Sequence, residues 1–419
     1  MQPNCSRSMT VGYIVSTWPS LSQTFVLNEI MALERFGLEV RIFSIKDPRQ
    51  EPVHERLALV RADVTYLSIT TCWKRIVQSN LLLACQVSGH YFRTLFRALR
   101  YRRKEVTRAF FQAGYLAHAL RQHPVAHLHA HFATAPAMVA MFASELTRTA
   151  YSFTAHARDI YVDTHPEMMR AEIRCAKAVV TVSEYNRKHL TTRSSPGDNG
   201  KVRCIYNGLD LDRFPFPLTA SFHARTPVIL SVARLVEKKG LGDLIEATRI
   251  LRDRGYSFRA EIIGDGPLFK TLLSRVKELG LDDRVTLLGA QPQEAVLRAY
   301  QRAVIFGLPC IVTAEGDRDG IPTVLLEAMA SGVVVVSTSV SGIPELIDTG
   351  RDGLLVEPHN PSMLAQAIER LLIDPGLRDC MARAARAKIE QRFSIDRSSR
   401  QLLSLFQTGG VREDSRALV

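Results

Sequence analysis

The sequence predicts an α/β protein made of two domains built on parallel sheets, and three observations carry the prediction. Apolar strand patterns alternate with helical ones from Val11 onward, and the alternation restarts at Val228. The run Val333-Val334-Val335-Val336 reads as a strand buried on both faces, as strands of parallel sheets are. At 419 residues the chain exceeds what one hydrophobic core organises. A proline-rich stretch without periodicity, from Phe214-Pro215-Phe216-Pro217 to Thr226-Pro227, marks the break. The expected division is 1–216 for an N-terminal domain and 226–395 for a C-terminal one. Residues 396–408 are then a closing helix that packs back on the first domain, and 409–419 a disordered tail.

Residues 1–10 read as a loose leader. Residues 11–16 form a strand, 17–23 a loop, 24–36 a helix closed by Gly37, and 40–45 the next strand. Strand, helix and strand within 35 residues make a βαβ unit with a right-handed crossover. The first turn lacks the GxGxxG pattern of a dinucleotide fold, which argues against a dehydrogenase.

Residues 73–108 hold nine Lys or Arg against Glu105 alone. Arg93, Arg97 and Arg100 recur at helical spacing, offset from Phe92, Leu95, Phe96 and Leu99. Two readings stand: a basic amphipathic helix on an anionic membrane surface, or a surface helix whose apolar face packs on the domain core. No DNA- or RNA-binding motif accompanies the charge, so nucleic acid is not an expected partner.

Residues 125–132 read as a strand running into a loop, with His127, His129 and His131 on one face. With no acid or cysteine cluster beside them in the sequence, metal is not expected. Residues 151–154 form a strand, and His156 follows it in a loop. Open α/β sheets bind ligands at the carboxyl ends of their strands, which makes His156 a candidate site residue. Residues 178–183 and 202–205 are further strands, with a short helix at 184–190 and a loop at 191–200.

In the second half, the strand 228–232 leads into a basic loop, 233–240, and a helix from Leu241. Arg234 and Lys239 follow the strand end and can converge on one anion, Arg as a planar fork and Lys as a point charge. Residues 260–263 enter the turn Gly264-Asp265-Gly266-Pro267, whose glycines permit close backbone approach to a ligand. Strands follow at 285–289, 304–309 and 354–356, with helices at 363–372, 378–390 and 397–407.

Between these lies Asp319-Gly320-Ile321-Pro322-Thr323, opening a helix that runs to Gly332. Pro322 suits the first helical position and Gly332 the left-handed end. Asp319 then sits in the loop before the helix, and Glu327 in its second turn. The N–H groups at that helix start attract anions such as phosphate, while the acids can accept hydrogen bonds from hydroxyls. The pair suits a ligand with phosphate at one end and sugar at the other.

Composition agrees. A net charge of +12 points to an anionic partner, a nucleotide-activated substrate or anionic lipid among them. Seven scattered cysteines without a CxxC argue for a reducing compartment and against a disulfide framework or zinc. No apolar run approaches the ~20 residues of a spanning helix. The start of the chain shows no secretion signal, so the expected location is cytoplasmic, with any membrane met from its inner surface.

Together, Ser231-Val232-Ala233-Arg234 with Lys239-Gly240, Ile263-Gly264-Asp265-Gly266-Pro267-Leu268 and the acid pair Asp319 and Glu327 resemble retaining GT-B glycosyltransferases of family 4. The resemblance spans roughly residues 11–408. The stretch Pro19-Ser20-Leu21-Ser22-Gln23-Thr24-Phe25-Val26-Leu27-Asn28-Glu29-Ile30 is similar to a narrower branch that builds colanic-acid-like and amylovoran-like exopolysaccharides. One departure is plain: the first acid of the family's usual Glu pair is Asp319 here, shorter by one methylene.

The resemblance implies two Rossmann-like domains facing across a cleft. It implies a nucleotide-diphosphate sugar as donor and a saccharide, or lipid-linked saccharide, as acceptor. Arg234 and Lys239 would then neutralise the pyrophosphate, helped by the backbone of Gly320, Ile321, Pro322 and Thr323, with Gly264 and Gly266 close by. Glu327 would hold ribose hydroxyls, Asp319 sugar hydroxyls, and His156 would reach the sugar near the reacting carbon. No metal or other cofactor is implied. Two rivals share the pattern: a GT-B sugar-nucleotide epimerase, and a non-catalytic glycosyltransferase-like assembly partner.

Overall fold

The computed structural model describes residues 9–20, 23–48, 55–163, 165–216 and 226–408. The tail from 409, the middle of the proline-rich break and almost all of the leader lie outside them. The chain divides into two compact units. The first holds the residues up to Val182, Arg187–Gly208 and those from Ile395 on; the second holds Ser183–Asn186 and Leu209–Ser394.

The first unit is built on strands β1 (Thr10–Thr17), β2 (Glu39–Lys46), β3 (Asp63–Tyr66), β4 (His127–His131), β5 (Tyr151–Ala155), β6 (Ala178–Thr181) and β7 (Val202–Cys204). They form a parallel sheet in the order β3-β2-β1-β4-β5-β6-β7. The winding reverses between β1 and β4, and the crevice outside the carboxyl ends at such a reversal is where doubly wound sheets take ligands. Sequence reading did not find β3. It is four residues long, half-buried and on the sheet edge, so it carries no apolar run.

Helices cover both faces. On one side lies α1 (Thr24–Arg35), whose Val26, Leu27, Ile30 and Leu33 recur at helical spacing and are buried. On the other side pack α2 (Ile69–Gln86), α3 (Ser88–Arg100), α4 (Lys104–Gln122), α5 (Ala135–Thr147), the short α6 (Arg158–Tyr161) and α7 (Pro166–Cys175), around a large cluster that includes Phe110, Phe142 and Phe153. The helix α8 (Glu184–Thr191) follows β6.

The second unit repeats the plan with β8 (Val228–Val232), β9 (Arg259–Ile263), β10 (Val285–Gly289), β11 (Ile305–Leu308), β12 (Val334–Thr338) and β13 (Leu354–Val356), ordered β10-β9-β8-β11-β12-β13 and parallel. Its reversal lies between β8 and β11. The helices are α9 (Leu241–Asp253), α10 (Phe269–Glu278), α11 (Gln293–Arg302), α12 (Thr323–Ala330), α13 (Ile343–Leu346), α14 (Pro361–Ile373) and α15 (Pro375–Arg392). The valine strand β12 is buried throughout, with α12, α14 and α15 against it.

After α15 the chain returns to the first unit as α16 (Ile395–Thr408). Its Leu402, Leu405 and Phe406 join the α1 side of the first core. Phe406 closes over the histidine face of the sheet, its ring centroid 5.2 Å from those of His127 and His129. Among the described residues no helix is long and apolar enough to cross a membrane.

In the basic stretch, the packing of α3 bears on the two readings left open by the sequence. The face of α3 that packs inward is Tyr91, Thr94 and Ala98. Phe92, Phe96 and Leu99, expected on the buried face if the helix merely covered the core, are 55%, 71% and 49% exposed. Arg97 turns inward instead, pairing with Glu145 and lying over the Phe142 ring.

Candidate functional site

Two clusters of polar side chains sit at the carboxyl edges of the two sheets, each beside its reversal. In the second unit, the loop after β8 carries Arg234, Lys238 and Lys239, and the loop after β11 carries Asp317 and Asp319. Because β8 and β11 are neighbours, the two loops meet. A Cβ on Gly240 would fall 1.8 Å from the Pro309 carbonyl oxygen, so glycine alone lets the backbones touch there.

Lys239 Nζ lies 2.6 Å from Asp319 Oδ2, while Lys238 Nζ lies 3.4 Å from Asp319 Oδ1 and 3.1 Å from Asp317 Oδ1. Burial pushes the Asp319 carboxyl up, but the two ammonium groups outweigh it and hold the carboxyl below its ordinary value. Burial likewise works against the Lys239 charge; Asp319, Cys310 and Asp317 outweigh it and hold the ammonium above its ordinary value. Cys310 Sγ, 3.7 Å from Asp319 Oδ2, is held protonated by burial and by that neighbouring carboxylate. Sequence reading passed over Lys238, because a lysine beside a lysine in a basic loop carries no distinguishing signal. Arg234 is exposed and has no side-chain hydrogen bond or ion pair among the described residues.

The glycines after β9 face protein. Gly264 has φ +137°, and a Cβ there would sit 1.8 Å from the Ala233 carbonyl oxygen; a Cβ on Gly266 would meet Leu235 backbone atoms at 2.6 Å and beyond. They press the β9 turn against the Arg234 loop and so fix its path. Gly320 and Ile321 are buried in the loop before α12. Pro322 is the N-cap of α12, one position earlier than expected, and Thr323 is the first helical residue.

Glu327 sits in the second turn of α12 and accepts a hydrogen bond from Tyr300 Oη at 3.1 Å. Burial pushes its carboxyl up to about 7, against the opposing pull of the Tyr300 hydrogen bond and the Arg213 charge. Tyr300 on α11 went unnoticed in the sequence, since a tyrosine at helical spacing reads as core.

The first unit holds a line of histidines. His127 Nε2 and His129 Nδ1 both lie 2.8 Å from Ser152 Oγ, and His129 Nε2 lies 2.9 Å from Thr154 Oγ1. Burial holds His127 down to about 3 and His129 well below the usual imidazole range, so both stay neutral. His131 Nδ1 is 3.2 Å from His156 Nε2, and His131 Nε2 is 3.1 Å from Glu29 Oε1, which also accepts from Tyr13 Oη at 2.7 Å.

The acid absent from the histidines' sequence neighbourhood is thus supplied by α1. One potential ligand atom each from Glu29, His129 and His131 lies within 4.8 Å of the others. In this structure those ring nitrogens are engaged with Ser152, Thr154, His156 and Glu29, which makes the group a hydrogen-bond network. A Glu29 carboxylate only accepts, so His131 donates from Nε2 and receives at Nδ1 the Nε2–H of His156.

His156 itself is 8% exposed and flanked by the rings of Phe25 and Phe132, at 4.7 and 4.6 Å. Burial keeps it neutral. Its loop is pinned by Asp159, which accepts from the backbone N–H groups of Ala133, His156 and Ala157 at 2.7–3.1 Å. Asp159 was not singled out in the sequence; an acid three residues past a histidine looks like any loop acid.

Two parallel doubly wound units, each with a polar cluster at its reversal, define a GT-B architecture. Solved structures share it: HepE of Anabaena in complex with UDP (TM-score 0.72, 18% identity, 96% of this chain and 100% of that one) and a glycosyltransferase from Rickettsia africae (TM-score 0.74, 18% identity, 96% and 99%). Residues 22–213 match the Glycosyltransferase Family 4 model, and residues 220–388 match Glycosyl transferases group 1. The colanic acid biosynthesis glycosyltransferase WcaL of Escherichia coli is 30% identical over 415 residues, covering 95% of this chain and all of WcaL. The amylovoran biosynthesis glycosyltransferase AmsK of Erwinia amylovora is 41% identical over 231 residues, 55% of this chain and 56% of its own. The chain belongs to this family of glycosyltransferases.

Proposed function

We propose that the protein is a retaining hexosyltransferase that moves one sugar from a nucleotide-diphosphate donor to a lipid-linked saccharide during bacterial exopolysaccharide or lipopolysaccharide synthesis. The observation that carries this reading is the buried Lys239–Asp319 pair at the β8/β11 reversal. The ammonium has three N–H donors, and the carboxylate occupies one. The others, with the exposed Arg234 fork, suit a pyrophosphate and its growing charge as the sugar leaves. Asp319 is assigned to sugar hydroxyls, Glu327 to ribose hydroxyls, and His156 to the donor sugar near the reacting carbon. The backbone from Gly320 to Thr323 adds hydrogen bonds to phosphate; Gly264 and Gly266 shape the loop that carries Arg234.

In the proposed step the bond from C1 to the β-phosphate oxygen breaks, and C1 bonds to the acceptor oxygen on the same face. The acceptor proton passes to a β-phosphate oxygen, and the nucleotide diphosphate leaves. The basic pair does a cation's work, so no metal is assigned. The names of WcaL and AmsK support the pathway class, and the UDP complex of HepE supports a nucleotide-sugar donor. The proposed location is the cytoplasmic face of the membrane, engaged through residues 73–108.

A thermal-shift screen against UDP-, GDP- and ADP-sugars without added metal tests this, since a ligand of the folded state raises Tm by mass action. One donor should raise Tm, and Arg234→Ala should remove the response. Sugar-nucleotide isomerisation with no acceptor present would replace the transferase with an epimerase.

A further inference from the structure

The helices α2, α3 and α4 enclose a groove of about 840 Å³ on the first unit. This is within the range of small-ligand pockets, roughly 300–1,000 Å³. Its walls include Trp73, Val77, Leu81, Phe92, Leu99 and Phe111, all of them exposed. A monomeric surface seldom leaves so much contiguous apolar area in water, where each Å² costs about 25 cal/mol. The groove is also preformed. Asn80 on α2 donates to the Phe111 carbonyl of α4 and accepts from Tyr91 Oη of α3, tying the three helices.

The rim is basic. Arg102, Arg103, Lys104 and Arg108 line the groove, and of these four only Arg103 has a carboxylate partner among the described residues, Glu105 at 3.2 Å. Three of these stand at the start of α4, the positive end of a 19-residue helix, where cations are unfavourable unless an anion joins them. A second copy of the chain is a poor occupant, because a two-fold pairing would set these cations against one another.

Arg103 also borders a smaller cavity of about 390 Å³, whose wall combines Glu105, Thr134, Asp163, His165 and Glu172 with apolar residues such as Met138. There the Glu172 side chain is 1% exposed and its Oε1 has no hydrogen-bond partner among the described residues. This cavity reaches Ala133, whose N–H is held by Asp159, the residue that pins the His156 loop. An apolar groove, a basic mouth and a chamber of mixed lining thus follow one another through Arg103 toward the His156 loop.

We propose that this series is an acceptor site. The groove takes the hydrocarbon chain of an anionic lipid, Arg102, Arg103 and Lys104 take its phosphate, and the chamber takes the first sugar on that phosphate. The assignment rests on the lipid-linked acceptor named under the proposed function.

The test titrates the full-length protein with dodecyl phosphate below its micelle concentration, with butyl phosphate and dodecyl maltoside as controls. Dodecyl phosphate should bind one per chain, at least about tenfold more tightly than either control. Leu99→Glu and the pair Arg103→Glu with Lys104→Glu should each weaken it about tenfold. These sites are exposed, and Tm and its rise with nucleotide sugar report that each variant is folded. Saturable binding unchanged in all variants would overturn the site. So would adsorption to phosphatidylglycerol vesicles without any binding of the soluble probe, which would make the face a bilayer contact only. Alkyl phosphate binding without any response to nucleotide sugars keeps the groove and sinks the transferase reading; the reverse sinks the groove alone.

Discussion

Lys239 and Asp319, eighty residues apart in the chain, form an ion pair of 2.6 Å in which each side chain is only 13–14% exposed. Removing one partner of such a pair costs roughly 3–5 kcal/mol when the other is left alone. Here the two removals differ. Lys239→Ala leaves Asp319 with Lys238 at 3.4 Å. Asp319→Asn leaves Lys239 without its carboxylate, while Lys238 keeps Asp317 at 3.1 Å. Urea unfolding should therefore rank Asp319→Asn as less stable than Lys239→Ala, while Lys239→Ala loses about a hundredfold or more in turnover. The opposite stability order would mean that Lys238 does not share the carboxylate.

Glu327 gives a pH signature. Its folded carboxyl titrates at about 7 against the ordinary 4.5. The folded state therefore holds this proton more tightly than the unfolded chain does, and stability falls as pH rises from about 4.5 to 7. The cost above pH 7 is on the order of 3 kcal/mol, and Glu327→Gln should remove it. Chemical denaturation at several pH values reads the difference between the two proteins, which should be nil near pH 4 and full by pH 8. Donor affinity should run the other way, strengthening as pH passes 7 and the carboxylate becomes free to accept ribose hydroxyls.

The Glu29–His131–His156 series fixes the His156 tautomer. Glu29→Gln should lower kcat about tenfold with donor KM unchanged, the pattern of a lost positioning contact. Nitrogen-15 shifts of His156 should show Nε2–H in the native protein and a mixture in the variant. Tyr13→Phe, which removes only one bond to Glu29, should do less. An unchanged His156 spectrum in Glu29→Gln would end this account.

Gly264→Ala should be costly because the added methyl falls 1.8 Å from the Ala233 carbonyl oxygen. Backbone has to move, and the Arg234 loop moves with it. Expected are a stability loss beyond ~2 kcal/mol and no Tm rise with donor. Gly37→Ala is the control: it is also at positive φ but meets nothing within 4 Å, so it should cost ~1 kcal/mol and keep the donor response.

How much of this was legible follows from what each signal depends on. Alternation of apolar runs marks the strands and helices because burial repeats locally, and it placed Arg234, Lys239 and His156 in loops after strands and Asp319 in the loop before a helix. Partners that lie far off in sequence leave no local trace. Glu29 meets His131 across 102 residues, and Tyr300 meets Glu327 across 27. The faces of α3 stayed undecided for a related reason: Phe92 and Leu99 look like core to a helical wheel, and only the packing of Tyr91 and Ala98 shows which side is wet. Gly264 and Gly266 were legible as special, yet what presses on them is the chain's own backbone.

The return of α16 has a consequence for how the protein comes into being. Phe406 caps His127 and His129, yet it follows the whole second unit in the chain. A nascent chain on the ribosome can wind β1 to β7 early, but the histidine face stays uncovered until some two hundred further residues have been made. Translation thus finishes the second unit before the first is sealed. Stopping the chain before Ile395 should yield a first half that chaperones hold and proteases clear, however sound its own sequence.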